Sequence, residues 1–118
     1  MNCLAVEIEE FDISEYEPGL FGMGFCELSP YFDFFESRSL RGEGYDWEAV
    51  VRAMLNINSI ELVDVILDPE SDGFAAYSST PGPLYVIAGI IYDLSRDEEK
   101  LDMAIQRARQ LGYFDDYY

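Results

Sequence analysis

Short stretches with a two-residue repeat of apolar side chains, or with many β-branched residues, predict four β-strands. Residues 3–9 alternate apolar and acidic positions, residues 20–28 are apolar and aromatic, and residues 60–67 are rich in valine and isoleucine. Residues 73–78 alternate again, and the DPESD string before them predicts a turn that makes the last two strands an antiparallel hairpin. Residues 12–19 hold serine, proline and glycine and are predicted to form a loop.

Two helices are predicted between the second and third strands. Ser29 followed by Pro30 is typical of a helix start, so we expect a short helix over residues 30–37. Asp46 is predicted to cap a second helix over residues 47–56, in which apolar residues recur every three or four positions.

The last third of the chain predicts two amphipathic helices. Pro83 is expected to open the first of them, Asp97 to cap the second, and Gly112 to end it. Strands and helices that do not alternate regularly indicate an α+β fold, a small antiparallel sheet with helices packed on one face. The length of 118 residues fits one domain spanning residues 1–118.

The charge of the chain points to a cationic partner. Acidic residues outnumber basic ones by 24 to seven, and nine of the acids lie in residues 1–37, which contain no lysine or arginine. Such a charge opposes direct contact with nucleic acid or an anionic membrane and speeds association with positive surfaces. Because 49% of the residues are hydrophobic, the chain can bury a core and is not a disordered acidic tail. Solubility, or life at high salt, is the alternative explanation, although it would spread the acids evenly.

Catalytic and metal-binding chemistry has little support in the sequence. The chain has no histidine and two cysteines, so it cannot form a Ser-His or Cys-His nucleophile, and a zinc site of the usual kind is close to excluded. Residues 68–73 imitate the start of an EF-hand calcium loop, but Ser79 stands where that loop needs a glutamate. We therefore expect no enzyme, no catalytic residue, no cofactor and no metal, although two carboxylates alone can support a hydrolase.

The residues predicted to contact a partner are acids and tyrosines in three polar segments of the chain. They are Asp12, Glu15, Tyr16, Glu17, Glu43, Tyr45, Asp68, Glu70 and Asp72. The string at residues 42–47 (GEGYDW) has a structural alternative, a loop-to-helix junction with Trp47 in the core. Residues 113–118 combine aromatic and acidic side chains, and we expect them either to fray or to join the interface.

The chain is expected to be cytoplasmic. Its first residues lack a positively charged segment, and glutamates at positions 7, 9 and 10 interrupt any apolar run of the signal-peptide type. The longest apolar stretch, residues 84–92, is too short to cross a bilayer. The sequence does not indicate an oligomeric state.

Three features of the chain from about Leu40 onward carry a family resemblance. They are the GEGYDW string before a helix, the strand–turn–strand string at residues 67–78 (LDPESDGFAAYS), and the two amphipathic helices that follow. In these features the sequence resembles a family of bacterial immunity proteins from polymorphic toxin systems, immunity protein 51. Residues 1–37 match only in being acidic and strand-like.

The resemblance implies a cytoplasmic antidote that binds and blocks a toxin domain encoded beside it, and it identifies no contact residues. Combined with the charge, it predicts an inhibitor of a basic toxin domain, with a nuclease as one candidate. Two other functions stay open: an acidic nucleic-acid mimic that inhibits DNA-binding proteins and, with less support, a carboxylate-only hydrolase.

Overall fold

The computed structural model describes residues 11–118, in which four strands form one antiparallel sheet. The strands are β1 (Ser14–Glu17), β2 (Leu20–Phe25), β3 (Val65–Glu70) and β4 (Gly73–Ser78). Their order across the sheet is β1-β2-β4-β3, so the β3–β4 hairpin docks its second strand beside β2. The strand predicted over residues 3–9 lies outside the described residues.

Four α-helices accompany this sheet in the same described part of the chain. They are α1 (Phe32–Glu36), α2 (Gly44–Ile57), α3 (Gly82–Arg96) and α4 (Glu98–Gln110). Helices α2 and α3 pack against the sheet, and α4 packs on α2 and α3. The prediction of an α+β fold with two amphipathic helices at the C-terminal end is confirmed.

The core lies between the sheet and the helices. Alternate residues of the two central strands, such as Met23 on β2 and Phe74 on β4, are buried there. Trp47, in the first turn of α2, is fully buried, and its ring centroid lies 4.9 Å from that of Phe25 in an edge-on arrangement. The interpretation of Trp47 as a core anchor is confirmed, and its burial fixes the start of α2 against the sheet.

The prediction of a loop over residues 12–19 is wrong, because this segment contains β1. The stretch SEYE has no apolar alternation that would indicate a strand, and it is held by its pairing with β2. Gly19 makes the connecting turn with a φ of +80°, a conformation that favours glycine. The side chain of Glu15 accepts a hydrogen bond from the Gly19 backbone N–H at 3.2 Å and stabilises the same turn.

The hairpin is confirmed, but its position along the chain is shifted from the predicted one. Strand β3 runs through Asp68, Pro69 and Glu70, which were expected in the turn, and the pairing of Glu70 with Gly73 leaves two residues for the turn itself. Proline is compatible with β3 because this strand lies at the edge of the sheet, where alternate N–H positions face solvent and need no partner strand.

The starts of the first two helices differ from the prediction. The Ser29 hydroxyl caps no helix and instead donates to the Glu27 carboxylate at 3.3 Å, and a short 3₁₀ turn precedes α1. Helix α2 begins at Gly44 after Glu43, which is extended, so Asp46 lies in the first turn and is not the cap. The Asp46 side chain has other partners, described below.

Both predicted ends of α4 are confirmed. The Asp97 side chain accepts hydrogen bonds from the backbone N–H groups of Glu99 and Lys100, at 3.1 and 3.2 Å. Gly112 has a φ of +74°, and the N–H groups of Gly112 and Tyr113 donate to carbonyls in the last turn. This is the Schellman arrangement that ends many helices, and it needs only local sequence.

Candidate partner-binding site

The face of the sheet opposite the helices, which we call the outer face, collects several of the predicted contact residues. Ile66, Asp68 and Glu70 are exposed at every second position of β3. Their cross-strand partners on β4 are, in the same order, Tyr77, Ala75 and Gly73. Directly paired residues project from the same face of a sheet, so β3 supplies one apolar and two acidic side chains above a floor of small residues.

Three large side chains form a continuous row across the outer face, which we call the apolar row: Tyr16, Tyr77 and Ile66. Tyr16 and Tyr77 meet with their ring centroids 6.0 Å apart, above Gly22 of β2. Tyr77 lies directly opposite Ile66 in the β3–β4 pairing. Partial burial of Tyr16, together with the nearby Tyr77 and Asp12, raises the pKa of the Tyr16 phenol above its ordinary value of 10.0.

Three of the predicted acids line a groove at the hairpin end of the outer face. Asp68, Glu70 and Asp72 surround a depression of about 210 Å³ whose floor includes Gly73 and Ala75. All three acids are exposed. Asp68 and Glu70 stand on β3 and not in the predicted turn, while Asp72 lies in the turn itself.

The acids predicted near the N-terminal end of the described chain flank Tyr16 in sequence. Glu15 and Glu17 are exposed on β1, and the pairing with β2 is irregular between them. Asp12 is exposed just before the strand and contributes to the raised pKa of Tyr16, so its carboxylate lies near that end of the apolar row. Tyr16 and the hairpin acids therefore lie at the two opposite edges of one sheet, and Asp12 lies just before the first edge strand.

Positive charge is kept away from the four strands. All seven basic residues lie in the helices or in the segment between α1 and α2: Arg38, Arg41, Arg52, Arg96, Lys100, Arg107 and Arg109. The ion pairs within residues 11–118 join Arg38 to Asp102 at 2.7 Å and Arg41 to Glu43 at 3.5 Å. Neither pair includes an acid of the four strands, so no described basic side chain forms an ion pair with these acids.

The two strings that carry the family resemblance contact each other. A Cβ placed on Gly44 would overlap the backbone carbonyl oxygens of Glu70 and Gly73 at the hairpin turn. The first residue of α2 therefore touches the hairpin backbone, which is possible only without a side chain. The second glycine of the GEGYDW string thus joins α2 to the strand that carries the acids.

Asp46 of the same string is the centre of a buried hydrogen-bond cluster. Its side chain is 1% exposed and accepts from the backbone N–H groups of Gly42 at 2.7 Å and Arg41 at 3.1 Å. The hydroxyl of Tyr118, the last residue of the sequence given, donates to the same carboxylate at 2.7 Å. The guanidinium of Arg41 lies 4.8 Å above the Tyr118 ring. The C-terminal segment is therefore docked on the GEGYDW string.

Glu43 and Tyr45, the remaining predicted contact residues, have partners inside the molecule. Glu43 precedes α2 and pairs with Arg41, while Tyr45 is half-buried and stacks on Tyr117 with centroids 4.6 Å apart. These contacts favour the structural interpretation of the string. The structure does not bring Tyr45 into the apolar row.

The sequence alone did not indicate Ile66 or Tyr77 as candidate contact residues. A signal was present, because Tyr77 alternates with buried residues on β4 and Ile66 alternates with partly buried residues on β3. The predicted turn concealed this signal. Residues in a turn share no sheet face, so placing Asp68 and Glu70 there did not connect them with Ile66.

None of the helices in the described part of the chain is long and apolar enough to cross a membrane.

Comparison with known proteins gives one family. No curated protein and no solved structure matches the chain. The model of the family described as immunity protein 51 matches residues 11–110, which include all four strands and all four helices. This match extends the resemblance through β1 and β2, and the chain belongs to the immunity protein 51 family.

Proposed function

We propose that this protein neutralises a cognate bacterial toxin domain by binding to it, with the outer face of its sheet against a positively charged surface of the toxin. Membership of an immunity protein family supports a toxin as the partner in general terms. The observation that carries the choice of face is the separation of charge. The strand acids have no ion-pair partner among the described residues, and every basic residue lies elsewhere.

The proposed contact residues are Tyr16, Asp68, Glu70 and Asp72 on the outer face and its hairpin turn, with Asp12, Glu15 and Glu17 along the neighbouring edge formed by β1. A surface of one sign speeds association with an oppositely charged partner by roughly 10 to 10³-fold and rejects partners of like charge. For an antidote that must reach its toxin in the cell that makes it, rapid association is the property that matters. Glu43 and Tyr45 have a supporting role in this proposal, because they hold the string that touches the hairpin.

The proposed mechanism is obstruction and not catalysis. A toxin that attacks nucleic acid carries positive charge around its cleft to hold phosphates. An acidic surface can occupy such a cleft in place of the substrate, as barstar does on barnase, a standard example of electrostatically steered binding. A nuclease is therefore the toxin class that fits the charge best.

Co-expression with the toxin domain encoded by the neighbouring gene tests this proposal. We expect the protein to restore growth of cells that produce the toxin and to co-purify with it as a stoichiometric complex. We expect no comparable binding to two unrelated basic proteins of similar isoelectric point. If no complex forms at low salt, the proposal is wrong. Equal binding to all three proteins would identify an acidic mimic of nucleic acid and would also contradict it.

A further inference from the structure

We infer that the apolar row of Tyr16, Tyr77 and Ile66 is the energetic centre of the toxin interface, and that it binds an apolar patch framed by lysine or arginine side chains. This inference rests on the proposed function. It adds that the apolar row determines the dissociation rate of the complex, while the surrounding acids determine the association rate.

The exposure of the row is not explained by the fold. Ile66 is 66% exposed, Tyr16 is 50% exposed and Tyr77 is half-buried, while the neighbouring residues of β3, Val65 and Leu67, are the ones that pack against the core. Isolated apolar side chains on a surface are ordinary, but these three are contiguous across the sheet. A contiguous exposed apolar patch with a polar rim is typical of a binding site for another protein.

The row is also prearranged. A Cβ on Gly22 would lie 2.6 Å from the Tyr16 ring and 3.1 Å from the Tyr77 ring, so the absence of a side chain there allows the two rings to meet. The rings are held edge to face at 63°. Aromatic side chains that are fixed before binding lose little conformational entropy on association, which is why tyrosine is common at the centre of interfaces.

Acids frame the row at two places. Asp68 and Glu70 follow Ile66 at two and four residues along the same face of β3, and Asp12 lies near Tyr16. A second copy of this chain would place acids against acids, so self-association through this face is opposed by charge. The surface that fits this face has an apolar centre surrounded by cationic side chains. We assign that surface to the toxin domain of the proposed function.

Binding kinetics with the purified toxin domain test the inference. Ile66→Thr keeps a strand-forming residue and removes apolar area, and Tyr16→Ala removes the outermost ring of the row. Tyr85→Ala is the matched control, because Tyr85 is 54% exposed but lies on α3. Thermal unfolding of each variant first establishes that it is folded.

We expect Ile66→Thr and Tyr16→Ala each to raise the dissociation rate about tenfold or more while the association rate changes by less than about twofold. Tyr85→Ala should change neither rate. If the natural protein binds the toxin and both row variants dissociate like the control, the inference is wrong and the proposed function stands. If the natural protein does not bind the toxin, the proposed function fails first.

Discussion

Replacing Tyr118 with phenylalanine removes a single hydroxyl from the most buried polar cluster of the described chain. This hydroxyl lies 2.7 and 2.9 Å from the two carboxylate oxygens of Asp46, whose side chain is 1% exposed. It also accepts a hydrogen bond from the backbone N–H of Arg41 at 2.8 Å. Tyr118→Phe therefore removes one donor to a buried carboxylate and one acceptor for a backbone N–H, and it keeps the ring.

The loss can be sized from these contacts. A hydrogen bond to a charged group contributes about 1.5–3 kcal/mol. Asp46 retains the Gly42 and Arg41 N–H donors, and the Tyr118 ring is half exposed, so water can replace part of what is lost. We therefore expect the free energy of unfolding to fall by about 1–2 kcal/mol. For a chain of this length that corresponds to a Tm lower by about 4–8 °C.

Thermal and urea unfolding measure this difference directly. Tyr117→Phe is the matched control, since it removes the hydroxyl of the neighbouring tyrosine and leaves the ring that stacks on Tyr45. The control should change the free energy of unfolding by less than about 0.5 kcal/mol. If Tyr118→Phe is as stable as Tyr117→Phe, the C-terminal segment does not hold Asp46, and our account of the GEGYDW string is wrong.

Two further predictions concern the same region. Gly44→Ala should destabilise the protein by about 2–4 kcal/mol, because the added Cβ overlaps hairpin backbone that cannot rotate away. The control is Gly89→Ala on α3, where an added Cβ meets nothing within 4 Å. This control should stabilise the protein by about 0.5–1 kcal/mol. Unfolding in denaturant measures both, and equal effects would show that the α2–hairpin contact is not tight. Burial and the hydrogen bond to Asp46 raise the pKa of Tyr118 above its ordinary value of 10.0, so its contribution is fully present below that pH. Stability should fall as the pH rises above about 10, where the unfolded phenol ionises first, and the fall should be shallower in Tyr118→Phe; parallel pH profiles for the two proteins would contradict this.

Local signals in the sequence predicted a contact correctly where both of its partners are neighbours in the chain. Asp97 and Gly112 were assigned correctly because a helix cap and a helix stop involve residues within one turn. Asp46 was assigned wrongly as a cap for the opposite reason. Its hydroxyl partner is Tyr118, 72 residues away, and no local pattern indicates that the end of the sequence returns to this loop.

In the sheet, too, contacts between residues distant in the chain could not be predicted from local sequence. Strand β1 has no apolar repeat and exists through its pairing with β2, which a single sequence does not reveal. On β3 the residues Asp68 and Glu70 were predicted to contact a partner, but their assignment to a turn concealed the face that they share with Ile66. The acids of the candidate site were therefore predictable from composition, while the apolar row required the register of the strands.

The association rate with the toxin domain tests most directly whether the outer face meets a positive surface. Asp68→Asn/Glu70→Gln removes two charges from this face, and Glu36→Gln/Asp93→Asn removes two from exposed positions on α1 and α3, so both variants have the same net charge. At low salt we predict that the first pair slows association by about threefold to tenfold and the second by less than about twofold, with the difference lost near 0.5 M salt. Equal slowing by the two pairs would show that only net charge matters and would contradict the assignment of this face.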